Sequence, residues 1–190
     1  PVVDGDFLPT DPVTEDGFAE AGKDIPLLIG SNLNEWSGYF KVDPIQPSEE
    51  LTEALRSAYP NKPDLTAEEV DTTTIRLPLL KIMSHKADQN GAPVYAYVFT
   101  YGNSFHGAEI PYVFNNLAED ATDEEKALAE QVSQAWINFA KTGTPSADGL
   151  PTWEPYTRDG GATMLLDTES TLAYHHDQAL MKILSPDYVY

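Results

Sequence analysis

The stretch "PVYAYVFTY", residues 93–101, constrains the fold more than any other part of the chain. In an extended run, Val94, Ala96 and Val98 point to one face while Tyr95, Tyr97 and Phe99 point to the other. Both faces are largely apolar, so neither can be left in water. A strand of this kind belongs inside a sheet that carries helices on both sides. Of two shorter apolar runs, "IPLLIGS" at 25–31 reads as a buried strand and "ATMLLD" at 162–167 as a short strand.

The segments between them carry helical signals. Residues 48–59 place acids in a first turn and Leu51 and Leu55 on one face. "TAEE" at 66–69 is a capping box, and a helical pattern follows to about Asn90. Pro78 should kink or restart that helix, and Gly91 stands where a terminating glycine would. A second box, "TDEE" at 122–125, precedes the stripe Leu128, Val132, Trp136 and Phe139, which Gly143 and Pro145 stop. "HDQALMKIL", 176–184, reads as a last helix, and residues 1–23 as loop. Alternating strands and helices predict an α/β layered fold with a mostly parallel sheet.

Composition narrows the function. The 190 residues hold 31 acidic against 11 basic side chains, a net charge of −20, so phosphate backbones and anionic membrane surfaces would be repelled and no nucleic-acid partner is expected. There is no cysteine, which removes disulfides and thiolate chemistry. No apolar window approaches the ~18 residues of a membrane span.

Four histidines remain as chemical candidates. His85 lies in a predicted helix. His175 and His176 adjoin Asp177, but neighbouring helical positions face different ways, so this is a poor metal site. His106 sits in "YGNSFHGAEIPYVF", five residues past the 93–101 strand, between Gly102 and Gly107. Catalytic groups of doubly wound sheets gather in such loops; an ordinary turn uses the same residues. Glu35 likewise follows the 25–31 strand. It could hold an imidazole in one tautomer, or be a solvated loop acid. Together they keep the acid-then-histidine chain order of an α/β-hydrolase triad.

Several stretches resemble the type-B carboxylesterases, the family of cholinesterases and bacterial para-nitrobenzyl esterases. "PVVDGDFLP" resembles the family's P-V-x-D-G-x-x-x-P segment, and "DIPLLIGSNLNEWSGYF" its G-x-N-x-x-E segment. "FHGAEIPYVF" is similar to its H-G-x-E-[IL]-P-[FY]-V-F motif, and "WINFAKTGTP" with "PTWEPY" to its tail. The resemblance spans nearly the whole chain and departs only in "WEPY". It implies that Glu35 is the triad acid and His106 the base of a serine esterase acting on a small-molecule ester, with no metal or organic cofactor. Tyr39, Phe40, Tyr112 and Phe114 flank these loops and read equally as pocket lining or as core aromatics. Glu109 belongs to the histidine motif and is expected to make a structural contact.

The nucleophile is not found. No G-x-S-x-G occurs, and the nearest string, "GNSFH" at 102–106, lacks the second glycine. In the family it resembles, the nucleophile and the glycine-rich oxyanion loop lie upstream. Residues 1–190 are therefore expected to be the C-terminal segment of a single α/β-hydrolase domain, with the N-terminal remainder as its partner, in the same or a separate chain. The alternative is a non-catalytic, cholinesterase-like adhesion module. Strands 25–31 and 93–101 should lie parallel in one sheet, with Glu35 and His106 at one edge and within hydrogen-bonding distance.

Overall fold

The computed structural model describes residues 2–14, 17–36, 45–70 and 74–187. Among these residues, four strands form one sheet in the order β1 (Leu27–Asn32), β2 (Val94–Phe99), β3 (Ala162–Leu166) and β4 (Thr171–Tyr174). The first three run parallel, and β4 returns antiparallel to β3. Parallel neighbours need long crossovers. The chain supplies α1 (Glu49–Ala58) and α2 (Arg76–Asp88) between β1 and β2. It places α3 (Ile110–Val113) and α4 (Asp123–Thr142) between β2 and β3, and α5 (Gln178–Leu184) after β4.

The two apolar faces of β2 each meet a core. Val94, Ala96 and Val98 pack with Leu51, Leu55, Leu80, Met83 and Met181 of α1, α2 and α5. Tyr95 and Phe99 pack on the other side with Leu128, Val132, Trp153 and Met164. Each fully buried Val, Leu, Met or Phe among them contributes about 1.5–3 kcal/mol before chain entropy is counted. Trp153 reaches across to donate its indole N–H to the Ala96 carbonyl at 3.1 Å, so its polar edge is not left unsatisfied.

Local chemistry sets the helix ends. Thr122 and Glu125 make the reciprocal capping box of α4: the Thr122 hydroxyl accepts from the Glu125 N–H at 3.2 Å, and the Glu125 carboxylate accepts from the Thr122 N–H at 2.8 Å. Gly143 ends that helix in the left-handed region, φ 78°.

Three expectations are corrected. The "TAEE" box forms, but it caps only a three-residue 3₁₀ turn, Ala67–Glu69. The long helix starts at Arg76, so Pro78 lies in its first turn, where the missing N–H has no intrahelical partner and no kink is needed. The left-handed residue after α2 is Asn90, φ 52°, rather than Gly91. Gly91 serves close approach instead: a Cβ there would stand 2.3 Å from the Lys23 carbonyl oxygen. β4 had no counterpart in the sequence reading.

Candidate active site

Past the ends of β1 and β2 the two chains keep running side by side. The Leu33 N–H donates to the Phe99 carbonyl at 3.0 Å, and the Asn34 N–H to the Ser104 carbonyl at 3.1 Å. Asn34 and Phe105 then form an isolated parallel bridge. The turn Tyr101–Ser104 loops out between these contacts. It uses positive φ at Gly102 (62°) and Ser104 (47°), and Gly107 repeats the device at 81° just after His106. The Ser104 hydroxyl is buried and donates to the Tyr101 carbonyl at 2.8 Å, so it closes the turn.

Glu35 and His106 follow the bridge directly and meet. His106 Nδ1 lies 2.6 Å from Glu35 Oε2. An ionised carboxylate only accepts, so Nδ1 is the donor and Nε2 is left as the basic nitrogen of the neutral ring. The acid is sheltered and the ring is half open: their side chains are 8% and 51% exposed. The other carboxylate oxygen, Oε1, accepts the Asn32 N–H at 2.7 Å, so both oxygens are held.

Two residues that the sequence reading did not single out complete the surroundings. The Asn32 side chain, buried at the end of β1, donates to the Phe105 carbonyl at 2.9 Å and to Glu109 Oε2 at 2.5 Å. It ties the acid's strand to the histidine's loop and gives Glu109 its structural contact. Trp36 stacks on the His106 ring, centroids 4.2 Å apart and planes 23° from parallel. Beneath this group, burial and then the carboxylates of Glu109 and Glu35 push the Tyr97 phenol well above its ordinary range.

Tyr112 is buried against Phe99 and Tyr101, with ring centroids at 5.1 and 5.7 Å. Phe114 stands exposed after α3. Tyr39 and Phe40 lie outside the described residues. His85 donates from Nδ1 to the Pro12 carbonyl at 2.8 Å. Asp177 pairs with Arg76 at 2.6 Å in the core, and its other carboxylate oxygen lies 3.8 Å from His176 Nδ1.

Chemically, an imidazole whose Nδ1–H is held by a carboxylate can accept a proton at Nε2 and keep the resulting imidazolium stabilised. That is the acid–base half of nucleophilic acyl transfer.

Comparison with known proteins identifies the family and the fold. The model of the carboxylesterase family matches residues 49–182. The para-nitrobenzyl esterase of Bacillus subtilis (strain 168) is 32% identical over 200 residues, covering 90% of this chain and 40% of that protein. A solved PNB esterase has a TM-score of 0.66 at 29% identity, over 95% of this chain and 43% of that one. An esterase from anaerobic Clostridium hathewayi, described as able to hydrolyze aliphatic aromatic polyesters, shares the fold with a TM-score of 0.79 at 24% identity, over 96% and 42% of the two chains. The chain thus spans less than half the length of these relatives. With its helix-covered, mostly parallel sheet, it has the α/β-hydrolase fold and belongs to the carboxylesterase family.

Proposed function

We propose that this chain supplies the acid, Glu35, and the base, His106, of a Ser-His-Glu triad in a carboxylic ester hydrolase. The observation that carries the reading is the 2.6 Å contact between His106 Nδ1 and Glu35 Oε2. It leaves Nε2 to take the proton of a serine hydroxyl and later to give it to the departing alcohol. Between those steps an acyl-enzyme forms, and water attacks it with His106 again as base. Glu35 holds the tautomer throughout.

Residues 1–190 then form the C-terminal segment of one α/β-hydrolase domain. The N-terminal remainder brings the serine and the oxyanion donors, and the substrate is a small-molecule ester. On this reading the 190 residues alone turn over no ester, because a base without a nucleophile and oxyanion hole assists nothing. Relatives described as esterases favour this over a non-catalytic binding module.

Active-site labelling tests the reading. A fluorophosphonate added to the complete protein should modify one serine within an upstream G-x-S-x-G and abolish ester hydrolysis, while leaving the 190-residue chain unlabelled. A complete protein that takes no label and turns over no ester would be a binding module, and the proposal would fail.

A further inference from the structure

Glu35 and Trp36 are consecutive, and they grip the same imidazole in two different ways. Glu35 makes one hydrogen bond to Nδ1. One bond fixes the position of that nitrogen but leaves the ring free to swing about the Nδ1···Oε2 line. The ring is half exposed, so the protein encloses it only in part. Trp36 provides the second restraint: its indole lies over the imidazole face, centroids 4.2 Å apart and planes 23° from parallel. A face contact fixes the plane that a single edge contact leaves loose. It also sets the electron-rich face of an indole against a ring that becomes cationic when it takes the serine proton.

We propose that Trp36 is a positioning residue for His106: its stacked indole holds the imidazole plane so that Nε2 presents to the nucleophile, and favours the imidazolium once it forms. The proposal rests on His106 being the triad base. The interaction strengthens as the ring gains charge, so it acts on the transition state more than on substrate binding. Its signature is a loss in kcat with KM unchanged.

The test uses the complete enzyme with a short-chain p-nitrophenyl ester. Trp36→Ala and Trp36→Leu should each lower kcat about tenfold, the scale of one partly desolvated cation–π contact, and leave KM within about twofold. Leucine fills the volume without a π face, so it separates stacking from packing and stands in if the alanine variant does not fold. Trp36→Phe should recover kcat to within about threefold. In protein carrying ¹³C-labelled histidine, held at one pH, the His106 ring protons should be shifted upfield by the indole. That shift should shrink with phenylalanine and vanish with leucine.

Unshifted ring protons in the unaltered enzyme would overturn the proposal. So would a raised KM with unchanged kcat, which would make Trp36 a substrate contact. If Trp36→Leu keeps full kcat while His106→Ala is inactive, Trp36 is not a positioning residue and the triad reading stands. A fully active, folded His106→Ala removes the triad base and this proposal with it.

Discussion

Asn34 bridges Phe105 in parallel just beyond the last paired residues of β1 and β2, immediately before Glu35 and His106. This relationship explains how two residues 71 positions apart reach 2.6 Å. The strands deliver their C-terminal ends to one edge of the sheet, the turn at Tyr101–Ser104 absorbs the surplus chain, and the bridge restores the register. The dyad is the next step of an interrupted parallel ladder.

Glu35→Gln keeps the size of the side chain but removes the charge that, on the proposed triad, selects the Nδ1–H tautomer and stabilises the imidazolium. In the complete enzyme, kcat should fall on the order of 10⁴-fold, the scale reported when the acid of a serine-protease triad becomes an amide. Steady-state kinetics check this, with thermal melts showing that the variant is folded.

Asn32→Ala removes the donor shared by the Phe105 carbonyl and Glu109 but keeps the backbone N–H that holds Glu35 Oε1. Both acceptors are only partly buried, so losing the donor should cost about 1 kcal/mol. In the complete protein the melting temperature should drop by a few degrees at most, since a larger domain shifts less per kcal/mol. Activity should fall too, but by less than in Glu35→Gln, because the acid keeps one anchor. An unchanged melt would show that the Asn32 link bears no strain of folding.

His176 sets an acid limit on stability. The ring is buried edge-on to Tyr59, and neither nitrogen has a hydrogen-bond partner among the described residues. Burial lowers its pKa from 6.5 to about 4; Asp177 opposes the shift, while Arg76 and His175 add to it. Between those two values the unfolded chain binds a proton that the folded chain refuses. Stability is therefore full above about pH 6.5 and is lost as pH falls toward 4, by at most on the order of 3 kcal/mol. His176→Phe keeps the ring but cannot be protonated, so acid unfolding followed by circular dichroism should start at lower pH. An unchanged profile would assign the acid limit to other groups.

Much of this was legible in the residues. Two-sided apolarity placed β2 between two cores, and the "TDEE" box located the start of α4. The short apolar runs 25–31 and 162–167 fell close to β1 and β3, although only β3 is largely buried and the apolar part of β1 is half-buried. β4 was not legible: "TLAY" has only four residues, none of them fully buried, so it carries no strong pattern. The start of α2 was misplaced because a proline in a first turn looks the same in sequence as one that breaks a helix. Glu35 and His106 stood out through chain order and family motif. Asn32 and Trp36 did not, because their contacts arise only when the two loops are laid side by side. The "GSNLNEW" stretch held both residues, but no spacing rule distinguishes an asparagine that bridges loops from one that ends a strand.

The central claim, that His106 is the general base, is tested most directly by kcat on a short-chain p-nitrophenyl ester for His106→Ala in the complete enzyme. His85→Ala serves as control, since His85 is tied to the Pro12 carbonyl away from the dyad. Serine is barely ionised at neutral pH and needs a base within hydrogen-bond reach. The folded His106→Ala enzyme should lose several orders of magnitude in kcat, while His85→Ala stays near the unaltered value. Full activity in a folded His106→Ala enzyme would contradict the claim and leave His106 a turn residue.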